Sequence, residues 1–282
     1  MERRSESPLR RLQTRRAFYR FLWPLVLLGV MACGLNLVSQ DKEVELGKQV
    51  AKEVENQLPV LIDPEITEYI DSIGQKLARL SRRADLTYHI RVIDTEEINA
   101  FALPGGYLYV NRGLIEAAST ESELAGVMGH EIAHITERHS TKQYTQAQLY
   151  QIAATIGAAV TGAGTLGVEA AGLGGALLFR KFSRMDEAEA DYYGLQYMSQ
   201  AGYDPQGMVT FFEKLLRLQD NKLSTLQTLF STHPPTEERV QEIKAQIKKL
   251  DPKYLKASAP SSISFDQIKT KLRVKSQLRQ RD

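Results

Sequence analysis
The chain has 282 residues, 43% hydrophobic and 25% charged, enough apolar material for one domain of ordinary size and too much for a disordered chain. Its formal net charge of +2 is unevenly spread: residues 1–32 hold seven Arg and two Glu, leaving 29 basic and 32 acidic residues in the body. That balance gives no support to a nucleic-acid-binding surface, and the one cysteine, Cys33, excludes an internal disulfide, so the fold rests on its core and on any metal it holds.

Residues 1–20 are basic, and residues 21–32 form an apolar run that ends directly at Cys33. A basic stretch followed by a short apolar one describes a secretory signal, whereas a membrane span needs about 20 apolar residues. Val30-Met31-Ala32-Cys33 resembles a lipoprotein processing site. It predicts removal of the signal peptide 1–32 and a lipid on Cys33. An uncleaved anchor is the alternative, because apolar character continues weakly to Val38. Thr14 to Arg20 also resembles a twin-arginine export signal. Gly34 is not the Asp that would favour retention at the inner membrane. The expected location is therefore the cell envelope, as a periplasm-facing lipoprotein, with the outer membrane favoured over the inner.

Residues 40–56 have helical periodicity, with Val44, Leu46, Val50 and Val54 on one face. Asp63-Pro64 reads as an N-cap followed by proline at the first helical position, opening a helix to about Arg82 with Ile66, Ile70, Ile73 and Leu77 as its stripe. Leu86 to Ile93, Asn99 to Leu103 and Tyr107 to Asn111 read as strands, the last two joined by Pro104-Gly105-Gly106. Thr120 and Glu123 have capping-box spacing and start a helix expected to run through His139. Residues 152–179 are rich in Ala and Gly and read as one or two small-residue helices, packed inside the domain or facing a membrane. Helices follow over 184–200, from Asp204-Pro205 to about Leu218, and over about 236–250, with Ser231-Thr232-His233-Pro234-Pro235 on a loop between the last two. After Pro252 the composition turns polar, and with the basic run from Lys269 to Arg281 this predicts a solvated, loosely ordered tail. The expected organisation is thus a signal peptide (1–32), a metallopeptidase domain (33–250) and a polar basic tail (251–282).

The chemistry concentrates in His130-Glu131-Ile132-Ala133-His134. On a helix, positions i and i+4 share a face about 6 Å apart, so two imidazoles can reach one tetrahedral ion. Glu131 then lies to the side, placed to take a proton from a water at the metal. A catalytic zinc needs a third protein ligand and an open position. The helix over 184–200 offers Glu187, Glu189 and Asp191. Glu187 and Asp191 share a face, so one can bind the metal while the other accepts from a ligand imidazole. Spacing alone does not choose between Glu187 and Glu189. His139 lies five positions past His134, about 140° round an ideal helix, and reads as structural. A lone histidine before two prolines, His233, reads the same way.

Asn99-Ala100-Phe101-Ala102-Leu103-Pro104-Gly105-Gly106, Gly129 to His134, Glu187-Ala188-Glu189-Ala190-Asp191 and Ser231 to Pro234 occur in this order. Together they resemble the membrane-associated zinc metallopeptidases that include HtpX, the CAAX prenyl proteases and the BepA- and LoiP-type envelope proteases. The pattern is nearest a LoiP-like or BepA-protease-domain-like lipoprotein without the repeat domain. The resemblance implies a mostly helical α+β zincin of the gluzincin type with a small β-sheet and one Zn2+ per chain. It implies metal ligands His130, His134 and Glu187, catalytic Glu131, Asp191 behind a ligand, and a substrate-binding strand of Asn99, Ala100, Phe101, Ala102 and Leu103. It also implies that His233 approaches the zinc, either blocking the water position or helping to stabilise the transition state. The implied activity is endopeptidase cleavage of misfolded or membrane-associated envelope polypeptides, in protein quality control. A zinc-containing envelope chaperone or binding module with little peptidase activity is the alternative.

Overall fold
The computed structural model describes residues 36–149, 181–219, 224–255 and 264–279. The chain divides into two compact units, residues 1–38 with 141–169 and residues 39–140 with 170–282. In the first, Asn36 Nδ2 donates to Thr141 Oγ1 at 2.7 Å and the Leu37 N–H to Thr145 Oγ1 at 3.3 Å. The signal segment, Cys33 and the Ala/Gly-rich stretch 152–179 lie outside the described residues. All that follows concerns the second unit.

Helix α1 (Gln40–Gln57) starts at Ser39, whose hydroxyl accepts from the Lys42 N–H. Leu46, Val50 and Val54 are buried, but Val44, expected beside them, is 38% exposed. Two positions before Leu46 is about 200° round the helix, so the two cannot share one face. Helix α2 (Pro64–Ala78) is capped by Asp63, which accepts from the Ile66 N–H at 3.3 Å. Its stripe of Ile66, Ile70, Ile73 and Leu77 is fully packed in the core, and it stops at Ala78, short of Arg82.

Strands β1 (His89–Ile93), β2 (Ala100–Leu103) and β3 (Tyr107–Asn111) form one sheet in the order β1-β3-β2, with β1 parallel and β2 antiparallel to β3. Strand β2 is therefore an edge. It turns into β3 through Pro104–Gly106, where Gly105 has φ 76°. A Cβ on Gly105 would meet the Val44 Cα at 2.7 Å. Only glycine accepts both that φ and that contact with α1, so the turn fixes where the β2 edge sits.

Helices α3 (Arg112–Ala117), α4 (Glu121–Thr136), α5 (Arg184–Gln200), α6 (Gln206–Gln219), α7 (Gln227–Thr232), α8 (Glu237–Ile247) and α9 (Phe265–Arg279) follow, and residues 139–149 are helical as well. The result is the expected α+β, mostly helical zincin-like domain with a small sheet. Helix α4 is buried along nearly its whole length, against α5, α6, α2 and the sheet. It ends three residues before His139, contrary to expectation. Thr136 is its last residue, and Arg138 takes a left-handed φ of 59°.

The residues expected to form a solvated tail carry α9, with Phe265, Ile268 and Leu272 buried in the core. These apolar positions recur at helical spacing inside a basic stretch, and its charges hide them from a composition reading. Among the described residues no helix is long and apolar enough to cross a membrane.

Candidate metal centre
Thr120 caps α4 by accepting from the Glu123 N–H at 3.1 Å, while the Glu123 carboxylate accepts from the Ser119 N–H at 2.7 Å. Ser183 and Asp186 make a reciprocal capping box at the start of α5. The two helices cross at glycines. A Cβ on Gly129 would meet the Gly194 carbonyl at 2.9 Å, and one on Gly194 the His130 nitrogen at 2.7 Å. Backbones in such close contact let the short carboxylates of α5 reach the imidazoles of α4. Glu187 lies in the first turn of α5, where the helix dipole favours a negative charge.

His130, His134, Glu187 and His233 come together with one nitrogen or oxygen each within 4.8 Å of all the others. His130 Nε2 lies 3.1 Å from His134 Nε2 and 3.3 Å from His233 Nδ1. Glu187 Oε1 lies 2.8 Å from His233 Nδ1 and 3.5 Å from His134 Nε2, and Oε2 lies 3.6 Å from His130 Nε2. All four residues are at most 7% exposed. His233 is the residue that ends α7.

Asp191 accepts from His130 Nδ1 at 2.9 Å. Its other partner is Arg239, which sequence reading missed. Arg239 donates from Nε to Asp191 Oδ2 and from Nη2 to Oδ1, both at 2.8 Å, and from Nη1 to the Pro234 carbonyl at 3.1 Å. Nη1 also pairs with Glu187 Oε2 at 2.7 Å, and the guanidinium stacks 4.7 Å from the Phe212 ring centre. Its signal was present but ambiguous: Thr236 caps α8, which puts Arg239 in the first turn, where Glu237 and Glu238 read as a solvated face.

Glu131 is 2% exposed. Burial raises its pKa, against the pull of His233 and His130 and of the Ala102 N–H, which hydrogen-bonds the carboxylate. Burial also works against the charge of Glu187 and Asp191. At Glu187 the neighbouring His233, His134 and His130 outweigh it and hold the carboxyl well below its usual range. At Asp191 the Arg239 guanidinium does the same, aided by His130. Burial drives the His134 pKa well down. At His233 the carboxylates of Glu187 and Glu131 overcome burial and raise it.

A cleft opens over Glu131, lined by Asn99, Phe101, Ala102, Phe182, Thr232 and His233. Three residues of the expected substrate strand thus face it, while Ala100 and Leu103 are buried in the domain. Of the two glutamates left open by spacing, Glu187 joins the cluster. Glu189 turns aside to His139, whose Nε2 it meets at 3.1 Å. His139 reads as structural in the sequence on the assumption of a continuous helix. The break at Arg138 instead brings its Nδ1 to 2.8 Å from His134 Nδ1.

The donor set fits zinc. A tetrahedral ion with ligand bonds of about 2.0–2.1 Å separates its ligand atoms by about 3.3 Å, and four of the contacts above span 3.1–3.6 Å. His130 gives its proton to Asp191 through Nδ1, so its Nε2 presents a lone pair toward the other donor atoms. Lone pairs that converge in a buried space are stable around a cation and repel without one.

The chain matches the description "Peptidase family M48" over residues 64–247. It is similar to the beta-barrel assembly-enhancing protease of Escherichia coli K12, 31% identical over 230 residues, which is 78% of this chain and 47% of that protein. It is also similar to metalloprotease LoiP of the same organism, 32% identical across 72% of this chain and 80% of that one. The mitochondrial metalloendopeptidase OMA1 of Schizosaccharomyces pombe is 30% identical across 83% of this chain and 71% of its own length. The chain spans about half the length of the beta-barrel assembly-enhancing proteases it matches.

Proposed function
The chain belongs to peptidase family M48, and on that premise we propose that it is a zinc-dependent endopeptidase that cleaves misfolded or membrane-associated polypeptides of the cell envelope. The observation that carries this reading is the convergence of His130, His134, Glu187 and His233 next to the Glu131 carboxylate and the β2 edge. His130, His134 and Glu187 hold the zinc. When bound, the ion supplies a Lewis acid for the scissile carbonyl and makes a coordinated water acidic. The β2 edge takes an extended peptide by main-chain hydrogen bonds, which suits broad specificity. Glu131 accepts the proton of the attacking water on its carboxylate and delivers it to the leaving amine. Asp191, held by Arg239, keeps the His130 proton on Nδ1.

His233 gates the site. Its Nδ1 stands among the ligand atoms, and its Nε2 lies 3.8 Å from Glu131 Oε1. Pro234 and Pro235 stiffen the chain that follows it. In this reading it fills the fourth position at rest and yields to substrate. His233→Ala should keep zinc and raise basal cleavage of casein. A fall of about 100-fold or more with zinc retained would assign His233 to transition-state stabilisation, and an unchanged rate would leave it a structural role.

Residues 1–32 act as the signal peptide, 33–250 as the peptidase domain and 251–282 as a C-terminal extension. Cys33 carries the lipid that tethers the protein to the periplasmic side of the membrane, the outer one favoured; fatty-acid labelling that survives Cys33→Ala would refute the tether. The near-neutral body leaves nucleic acid without a role as partner. The activity itself is tested by removing and restoring the metal. Casein cleavage should vanish with the zinc and return on adding it back. Cleavage that is indifferent to zinc would refute the proposal.

A further inference from the structure
Helix α4 closes with the Glu137 N–H on the Ala133 carbonyl at 2.9 Å and the Arg138 N–H on the Ile135 carbonyl at 3.1 Å. Arg138 then adopts φ 59°, a conformation that costs a residue other than glycine about 1–2 kcal/mol. The side chain of Arg138 helps to hold it there, donating from Nε to Glu43 Oε2 at 2.7 Å. Glu43 is fully buried, and its Oε1 accepts from Arg83 Nη1 at 2.8 Å. The strained residue has a definite product: it turns the chain so that His139, itself fully buried, lies against His134.

The protons of this pair are determined by its surroundings. The two Nδ1 atoms are 2.8 Å apart, so one donates and the other accepts. His134 directs Nε2 at the ligand atoms, where a metal ligand must present a lone pair, so its proton sits on Nδ1. His139 Nδ1 therefore accepts, and its own proton sits on Nε2. That atom faces Glu189 Oε2 at 3.1 Å and Asp186 Oδ1 at 3.5 Å. The Phe182 ring packs on the same two imidazoles, its centre 4.1 Å from that of His134 and 6.1 Å from that of His139.

We propose that His139, backed by Glu189, is a positioning residue for the zinc ligand His134, a second support arm parallel to the one that Asp191 and Arg239 provide for His130. This rests on the zinc reading given above. The two arms differ in kind. One ends on a buried ion pair, and the other passes through a second imidazole to a carboxylate that is 39% exposed. Loss of such a support lowers metal affinity by about 10- to 100-fold.

The test measures zinc affinity by chelator competition on the whole protein, together with the melting temperature of the metal-free form. His139→Leu removes the acceptor and should weaken zinc about 10- to 100-fold. His139→Gln keeps an acceptor for His134 and a donor for Glu189, and should bind zinc within about threefold of wild type. The melting temperatures of the metal-free variants separate lost stability from lost affinity, because His139→Leu also leaves the buried His134 Nδ1–H without its acceptor. Zinc binding by His139→Leu equal to wild type would overturn the proposal, as would a His139→Gln variant no better than His139→Leu. Should His139→Leu fail to fold, Glu189→Ala stands in, because it leaves the core intact. About two- to tenfold weaker zinc is then expected, and unchanged affinity overturns the arm. A wild-type protein that binds no zinc would refute the metal reading itself, whereas tight zinc in the wild type with indifferent variants would refute only the arm.

Discussion
The metal centre and the clamp between α9 and α2 are both built around buried carboxylates, yet they are arranged in opposite ways. In the clamp, Asp63 sits between Lys271 at 3.0 Å and Lys275 at 2.6 Å and also caps the Ile66 N–H. Each acceptor meets a donor, and the cluster is complete as it stands. At the centre, imidazole nitrogens and a carboxylate oxygen face one another within 4.8 Å. Apart from the contacts of Glu187 with His233 and Arg239, lone pairs face lone pairs there, which is a poor way to stabilise a fold and a good way to hold a cation. The contrast separates a structural polar cluster from a functional one without reference to residue type, since carboxylates occur in both.

The sharpest way to test the contrast is to remove Arg239. Its guanidinium pairs with two of the buried carboxylates of the centre, Asp191 at 2.8 Å and Glu187 at 2.7 Å. Arg239→Ala leaves two buried charges poorly compensated and should destabilise the protein by about 3–5 kcal/mol. Chemical denaturation measures this. A loss below about 1 kcal/mol would mean that the centre does not depend on the Arg239 guanidinium.

The clamp should respond more weakly and in its own pH window. Burial opposes the Asp63 charge, but Lys275, Lys271 and the Ile66 N–H outweigh it and lower its pKa from 3.8 to about 2. A carboxylate with a depressed folded pKa stabilises above its unfolded value and loses that contribution as pH falls through the folded one. The clamp is therefore intact at neutral pH and weakens between pH 3.8 and about 2. Asp63→Ala should cost about 1–2 kcal/mol at pH 7, because half-exposed lysines are screened by solvent. The cost should shrink below about pH 3. Equal destabilisation by Asp63→Ala at pH 7 and pH 2 would remove the charge from the explanation and leave only the cap.

Much of the centre was legible because it is local. Two histidines four apart on a helix must share a face, and so must Glu187 and Asp191. What remained hidden depends on a departure from ideal geometry or on a long-range partner. The 140° that set His139 aside assumed a helix that Arg138 breaks, and no property of arginine announces a left-handed residue. Arg239 lies in a charged stretch that reads as solvent-facing until the first turn of α8 is seen against α5. Helix α9 escaped notice because Ile268 and Leu272 are outnumbered by the lysines around them. The choice between Glu187 and Glu189 needed the third dimension, and both proved to touch the site's histidines, one at the ligand atoms and the other through His139.

The central claim is that this buried cluster is a zinc site whose chemistry passes through one carboxylate. Glu131→Gln tests it most directly, since the side chain keeps its size and loses its ability to take a proton. Zinc content and casein cleavage should be measured on the same preparations of wild type and variant. The expected result is one zinc per chain in both, with cleavage lost by about 100-fold or more in the variant alone. Substantial cleavage by the zinc-loaded variant, or a wild type that cleaves without zinc, would contradict the account.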